Sequence, residues 1–142
     1  MFTNIVFCSD FSPHADRALT QAIELAQAGG GRLTVLHVIA PGLPLIPGEP
    51  PPRRGELSDE EIARKLDAYL RQVYGPRLAG VKWRAALRRG HPSEEILAHL
   101  KQAQADLVVM GSQGLSGMGL VVLGSVAERV SRRAPCTCLV VR

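Results

Sequence analysis

Glycines concentrate in one short stretch of the chain, between a buried apolar run and a helix start. Five of them lie between positions 111 and 124, within the sequence MGSQGLSGMGLVVLGSVAERV (110–130). Glycine loses more conformational entropy on folding than other residues, so such a cluster is unfavourable unless bare backbone is needed there. Bare backbone lets a ligand approach closely, and successive N–H groups gathered in a nest bind anions such as phosphate.

The spacing of these glycines is Gly111-x2-Gly114-x9-Gly124-Ser125. Gly124 and Ser125 precede a predicted helix, whose N-terminal N–H groups and dipole favour phosphate. Ser125 can also donate its hydroxyl to a phosphate oxygen. The same serine forms a capping-box pattern with Glu128, in which Ser125 would cap its own helix. The residues alone therefore leave two alternatives open with about equal weight: phosphate binding and a purely structural glycine loop.

Two well-known phosphate motifs are absent from the sequence. The spacing from Gly119 to Gly124 fits a Walker A loop, but no lysine precedes Ser125 to reach the phosphates. The dinucleotide pattern Gly-x-Gly-x-x-Gly fails because Val122 stands where the third glycine would be. Any nucleotide site here must use a different arrangement.

Asp10 is the second candidate for ligand chemistry, because it directly follows the first predicted strand. Ligands of open parallel sheets bind at the carboxyl ends of the strands, near the point where strand order reverses. If the first and fourth strands are neighbours, Asp10 and the glycine segment face one crevice. The alternative is that Asp10 is a turn residue that helps Ser12 cap the first helix.

Strand and helix signals alternate along the chain. The predicted strands cover residues 4–9, 32–39, 81–89, 106–112 and 138–142. Between them lie four helical patterns, the last of which runs from about Ser125 to Arg133. This order predicts one α/β domain over residues 1–142: a Rossmann-like, doubly wound fold with a five-stranded parallel sheet and helices on both faces.

Residues 40–57 contain six prolines and three glycines, which exclude a central strand or a helix interior. We expect a mobile surface loop there. Its position after the second strand places it near the ligand crevice, where it could fold over a bound nucleotide.

The composition is that of a globular protein, with 142 residues, 46% of them hydrophobic and 21% charged. No apolar run is long enough to cross a membrane and the first residues are not a signal peptide, so we expect a cytoplasmic protein. The net charge of +4 is dispersed and aromatic residues make up only 4%, which argues against nucleic-acid binding. Cys8, Cys136 and Cys138 lack zinc-ligand spacing and are expected to be free thiols, with no metal site among the residues themselves.

Several segments resemble the universal stress protein family. The glycine motif, with VVMGS before it and LGSVAERV after it, is similar to that family's signature. NIVFCSDFSPHADRAL resembles its first strand and helix, LTVLHVI its second strand, and Gly90-His-Pro-Ser-Glu-Glu-Ile its turn into helix three. The resemblance covers essentially the whole chain apart from the proline-rich loop. Because the glycine motif is complete, the sequence resembles the ATP-binding branch of the family.

The resemblance implies ATP as the ligand. Asp10 would meet the ribose or phosphate side, and the backbone of Val38 would read the adenine edge. Ser9 and Gln113 would line the same crevice. The ribose and phosphates would be held by Gly111, Gly114, Gly124 and Ser125, together with the backbone of Met110 and Val126.

The sequence also departs from the family pattern. Gln113 and Leu115 stand where many members have His or Arg, and Thr137 where many have Pro. The first two departures remove possible cationic phosphate partners, which we expect to weaken affinity while leaving the backbone cradle intact.

We therefore expect an ATP-binding regulatory or stress-response protein. Bound ATP would shift its conformation or partner affinity, with at most slow hydrolysis and with Mg²⁺ held mainly by the phosphates and Asp10. No nucleophile or general base is supported by spacing, so no catalytic residue is assigned. One alternative is a nucleotide hydrolase or transferase of related fold, which would be expected to have a Ser-Gly-rich loop after strand one. Another is a nucleotide-independent dimeric protein that acts through protein partners.

A homodimer is expected whether or not the protein binds a nucleotide. The last strand would be an exposed apolar edge in a monomer, which is an aggregation hazard unless it is paired. Members of the resembled family dimerise through their last strands, so the resemblance implies a two-fold dimer through residues 136–142.

Overall fold

The fold is a five-stranded parallel sheet whose strand order is β3-β2-β1-β4-β5. The computed structural model describes residues 1–113 and 123–142. Its strands are β1 (Asn4–Ser9), β2 (Arg32–Ile39), β3 (Lys82–Arg89), β4 (Leu107–Gly111) and β5 (Thr137–Val141). The chain first builds outward from β1 to β3 and then crosses back to β4 on the other side of β1. The strand order therefore reverses between β1 and β4, as the crevice prediction requires.

Helices cover both faces of this sheet, which confirms the predicted fold class. The helices are α1 (Pro13–Gly29), α2 (Asp59–Tyr74), α3 (Pro92–Gln102) and α4 (Ser125–Arg133), and a short 3₁₀ turn follows α2 at Gly75–Leu78. Ile5 and Phe7 of β1 point into a core shared with α1 and α2. Val6, between them, points into a second core shared with α3 and α4. This alternation is the period-two pattern of a strand buried on both faces.

Serine caps begin the first two helices, and the cap at the first is the one that the sequence predicts. The hydroxyl of Ser12 accepts the Ala15 amide at 3.1 Å, with Pro13 as the first helical residue. Ser58 likewise accepts the amide of Glu61 at 3.1 Å. Each serine satisfies one of the N–H groups that the first turn of a helix leaves without an intrahelical partner.

The helix α4 begins differently, and the interpretation of Ser125 as its own cap is wrong. Gly124 is the N-cap, and within the part of the chain that the structure describes it has no side-chain capping bond. Ser125 is the first helical residue. Its hydroxyl is therefore not engaged as the cap, and the first N–H groups of α4 lack the partner that a capping side chain would supply.

The proline-rich segment between β2 and α2 forms neither helix nor strand over residues 40–57. It is attached to α2 at two points. Leu45 is only 5% exposed and packs with Ile62 and Leu66, and the Glu49 carboxylate lies 2.8 Å from the Lys65 ammonium. The predicted mobility of this loop stays a prediction.

The predicted strand bounds differ from the observed ones by at most one residue at each end. The apolar runs that mark the strands end at turn residues such as Asp10 and Gly90, which explains this agreement. No helix within residues 1–113 and 123–142 is long and apolar enough to cross a membrane.

Candidate functional site

A cavity of about 700 Å³ lies at the carboxyl ends of the strands, where β1 and β4 are neighbours. Its floor is formed by the ends of β1, β2 and β4, and the start of α4 closes one side. The proline-rich loop and the start of α3 supply further walls. Its volume falls within the range of small-molecule sites.

The structure brings together nine of the ten residues that the sequence singled out. The nine that line this cavity are Ser9, Asp10, Val38, Met110, Gly111, Gln113, Gly124, Ser125 and Val126. Gly114, the tenth, lies outside the described residues, as does Leu115. Residues from four separate elements thus converge on one space, although their binding of a ligand stays a prediction.

Two backbone hydrogen bonds hold the ends of the glycine segment together. The Gly124 amide donates to the Ser112 carbonyl at 2.7 Å, and the Ser112 amide donates to the Val141 carbonyl at 2.8 Å. Ser112 therefore joins the end of β4, the start of α4 and the edge strand β5. This arrangement puts Gly111 beside Gly124 regardless of the path that the chain takes between them.

Gly111 has a packing reason to be glycine. A Cβ placed on it would lie 2.8 Å from the Cβ of His14 and 2.9 Å from the His14 carbonyl carbon. The end of β4 thus approaches the first turn of α1 more closely than a side chain allows. The glycine spacing predicts a ligand contact at Gly111, and nothing in the sequence indicates that α1 also requires a glycine there.

The backbone of Gly124 does not adopt the positive φ for which glycine is often required. Its φ is −61° and its ψ is 149°, an extended conformation that most residues adopt. Positive φ is therefore not the reason for glycine at this position. A remaining reason is space, because Gly124 lines the cavity directly before the first amides of α4.

Asp10 combines both roles that the sequence left open. Its Oδ1 accepts the Ser12 amide at 2.9 Å, which is the turn role. The half-buried carboxylate also lines the cavity. Its second oxygen, Oδ2, has no hydrogen-bond partner among the residues that the structure describes, so a ligand hydroxyl or a cation can use it without breaking the turn.

The hydroxyl of Ser9 is turned toward the α2 side of the sheet. It lies 2.5 Å from the hydroxyl of Tyr74, a fully buried residue, and it accepts the Phe11 amide at 3.3 Å. Burial raises the pKa of Tyr74 to about 12, so the phenol stays protonated at neutral pH. The side chain of Ser9 therefore stabilises the turn after β1, and its backbone is what it offers the cavity.

His37 lines the cavity beside these residues and was not predicted. Its Nδ1 lies 2.9 Å from the Ser9 carbonyl, and because a carbonyl only accepts, Nδ1 must carry the proton. Burial lowers the pKa of His37, which favours the neutral ring. In that tautomer Nε2 is a hydrogen-bond acceptor.

Phe11 is the second unpredicted residue of the site, and it holds an unusual backbone conformation. Its φ is 63°, the left-handed region that bulky residues rarely adopt. Its ring centroid lies 4.7 Å from that of His37 and 4.9 Å from that of Tyr69. These ring contacts stabilise a turn whose strain is typical of functional sites. No local sequence signal indicates the conformation, because its partners come from β2 and α2.

The walls of the cavity are largely apolar. Leu43, Pro44, Leu45 and Pro47 come from the proline-rich loop, and Pro92 and Ile96 from α3. Val38 lines the same cavity as these loop residues, although the assignment of this side to adenine stays a prediction. An apolar wall beside a strand backbone suits a planar, weakly polar group.

The charges around the cavity are few. None of the described residues that line it is lysine or arginine, and Asp10 is the acidic residue among them. Residues 114–122 carry no charged side chain either. An anion in this cavity must therefore be stabilised by backbone N–H groups and by the N-terminus of α4.

The cysteines near the site are free thiols, as predicted. Burial raises the pKa of the Cys8 thiol, and the nearby Cys138 and Asp10 add to this effect. Burial also raises the pKa values of Cys136 and Cys138. Protonated thiols are poor nucleophiles, so these residues offer the cavity no covalent chemistry at neutral pH.

Comparison with known proteins identifies the family of this chain. The model of the universal stress protein family matches residues 1–142. The chain belongs to the universal stress protein family. A universal stress protein of Thermus aquaticus, from the 3′ region of a QAH/OAS sulfhydrylase gene, is 39% identical over 144 residues that cover 100% of both chains. The structure of universal stress protein UspA from Lactobacillus plantarum superposes with a TM-score of 0.78 at 31% identity, covering 99% of this chain and 98% of that one.

Two further structures of this family contain nucleotides. A universal stress protein in complex with cAMP has a TM-score of 0.71 at 24% identity, over 99% of this chain and 97% of that one. The universal stress protein of Archaeoglobus fulgidus in complex with dAMP has a TM-score of 0.66 at 23% identity, over 99% and 98%. At these identities the likeness establishes a shared fold.

Proposed function

We propose that this universal stress protein binds ATP as a regulatory ligand, with at most slow hydrolysis. The observation that carries the proposal is the convergence of nine predicted site residues on one cavity at the switch point of the sheet. Proteins of the same fold hold cAMP and dAMP, so the fold is compatible with an adenine nucleotide. Bound nucleotide would act by favouring one conformation or one set of partner contacts.

The walls suggest how the nucleotide would lie. Adenine would occupy the apolar side, between the backbone of Val38 and the loop residues Leu43 and Pro44. The ribose hydroxyls would reach Oδ2 of Asp10. The first phosphate would accept the amides at the start of α4, where Ser125 can add its hydroxyl.

A regulatory role fits the chemistry of the lining better than efficient catalysis. Hydrolysis of ATP needs a positioned water and cations that stabilise the developing charge. Asp10 and His37 are the candidate bases among the described lining residues, and each already holds a structural hydrogen bond. Mg²⁺ would be held mainly by the phosphates. Because carboxylate oxygens suit this cation, Mg²⁺ and the ribose hydroxyls are alternative partners for Oδ2 of Asp10.

We also propose that the protein is a homodimer in the cytoplasm that associates through residues 136–142. β5 is the last strand of the sheet order, and β4 is its neighbour on the inner side. It presents half-buried Leu139, Val140 and Val141 at this edge. Pairing with a second copy would cover an edge that is otherwise open to other chains.

Calorimetric titration of nucleotide-stripped protein with Mg-ATP tests the proposed function. Unmodified protein is expected to bind with micromolar affinity, and Gly124→Val is expected to abolish binding. Because Gly124 is in an extended conformation that valine readily adopts, backbone strain should not cause the loss. The valine side chain would instead occupy space before the α4 amides.

Gly80→Val is the matched control. Gly80 is exposed, its φ is not positive, and a Cβ built on it meets only the end of the flexible Gln27 side chain, at 3.4 Å. This variant makes the same chemical change away from the cavity and should bind like the unmodified protein. An unmodified protein that binds no ATP, or a Gly124→Val variant that binds normally, would refute the proposal.

A further inference from the structure

We propose that Arg129 determines how strongly the site prefers nucleotides with a phosphate chain over nucleoside monophosphates. This inference rests on the proposed function, because it assigns a specificity residue to the same site. Arg129 lies outside the cavity itself, on the exposed side of α4. Its role follows from the shape of the surface at Ser125 and from the charges on either side of it.

The cavity adjoins a second depression of about 300 Å³ on the outer surface of α4. Ser125 lines both spaces, so they meet at the first residue of this helix. The remaining lining of the depression is charged and consists of Glu128, Arg129, Arg132 and Arg133. A phosphate chain that begins at the α4 amides can therefore extend past Ser125, out of a cavity whose described lining holds no lysine or arginine, to a surface that carries Arg129, Arg132 and Arg133.

Arg129 is the arginine best placed to meet that chain. It follows Ser125 by four residues, so the two share one face of α4 at a rise of about 6 Å along the axis. Arg133 lies a further turn away, about 12 Å from Ser125 along the axis. Arg132 already forms an ion pair with Glu128 at 2.9 Å.

The present partner of Arg129 is weakly held. Its Nη2 lies 3.8 Å from Oε1 of Glu94, and the two side chains are 42% and 62% exposed. Ion pairs this long and exposed contribute little, whereas a phosphate can accept paired hydrogen bonds from a guanidinium. A terminal phosphate can therefore replace Glu94 as the partner of Arg129.

Glu94 opposes the same ligand. It lies in the first turn of α3, directly after Pro92 and Ser93, and Pro92 lines the cavity. A carboxylate at this rim repels a phosphate chain that enters the depression. The Arg129–Glu94 pair thus sets the preference for chain length, while the cavity holds the nucleoside and the first phosphate equally in all cases.

The test is the ratio of AMP to ATP dissociation constants, measured by calorimetry at constant magnesium and ionic strength. Arg129→Gln is expected to weaken ATP binding about tenfold, which corresponds to about 1.4 kcal/mol. The same variant should leave AMP affinity within about twofold, because AMP does not reach the depression. Glu94→Gln should strengthen ATP binding and leave AMP binding unchanged.

Arg64→Gln is the matched control, because it removes the same charge from an exposed position of α2 that lines neither the cavity nor the depression. If it weakens ATP binding as much as Arg129→Gln does, the effect is long-range charge and the inference is wrong. The inference is also wrong if Arg129→Gln weakens AMP and ATP equally, or changes neither. In all these outcomes the unmodified protein binds nucleotide and the proposed function stands, whereas unmodified protein that binds neither AMP nor ATP overturns both.

Discussion

Replacing Gly111 with alanine tests whether packing against α1 is the reason for glycine at the end of β4. The added Cβ would lie 2.8 Å from the His14 Cβ and 2.9 Å from the His14 carbonyl carbon. A rotamer change of His14 moves neither of these atoms, so the first turn of α1 must shift away from the sheet. Overpacking of this kind costs about 1–3 kcal/mol, and we expect the upper half of that range.

Urea unfolding followed by circular dichroism measures this cost. With an m-value of about 2 kcal/mol per molar urea, a loss of 2 kcal/mol lowers the midpoint by about 1 M. Gly80→Ala is the control, because its Cβ would meet only the end of the flexible Gln27 side chain, at 3.4 Å, and its φ is not positive. That variant is expected to change the free energy of unfolding by no more than about 0.5 kcal/mol. An unchanged midpoint for Gly111→Ala, combined with lost ATP binding, would refute the packing argument and show that the ligand requires this glycine.

Three further predictions follow from the site and its surroundings. Burial lowers the pKa of His37 below its ordinary 6.5. As the pH falls, the unfolded chain therefore protonates this histidine before the folded chain does. The stability that the neutral ring contributes is fully present above about pH 6.5 and is lost as the pH drops below it. In the His37→Gln variant the free energy of unfolding should therefore fall less steeply between about pH 6.5 and 5. Urea unfolding at several pH values measures this, and a pH dependence equal to that of the unmodified protein would contradict the prediction. Trypsin should cut after exposed Arg53 or Arg54 more slowly when ATP is saturating, and equal rates would show that the loop does not close over nucleotide. Sedimentation at micromolar concentration should give a dimer that Thr137→Lys converts to a folded monomer, because Thr137 is the exposed residue of β5 and a charge on an edge strand disfavours pairing; a stable dimer of this variant would exclude the proposed interface.

The sequence predicted the fold well because its signals are local. Buried strands such as β4 are uninterrupted apolar runs, and helices such as α1 carry their caps in the preceding residues. The glycine segment and Asp10 could be brought to one crevice by a topological rule that needs only the order of the elements. Most of the candidate site followed from that rule.

The remaining features depend on contacts between distant parts of the chain. The left-handed conformation of Phe11 depends on rings from β2 and α2, and the need for glycine at 111 depends on the approach of His14. The capping pattern of Ser125 was misleading because the structure begins α4 at Ser125, one residue earlier than the pattern places the first helical residue. The burial of Leu45 could not be predicted from the sequence, since an apolar residue among prolines gives no periodic signal.

The position of Ser112 has a consequence for how the two proposed interactions affect each other. Its carbonyl holds the amide of Gly124 at the nucleotide side, while its amide holds the Val141 carbonyl of the edge strand. A shift of this one residue therefore moves both the proposed phosphate site and the strand that would pair with a second copy. Thermodynamic reciprocity then applies: the factor by which nucleotide changes the dimerisation constant is the factor by which dimerisation changes nucleotide affinity. The concentration of nucleotide would in that way determine the fraction of the protein that is dimeric, without any chemical step.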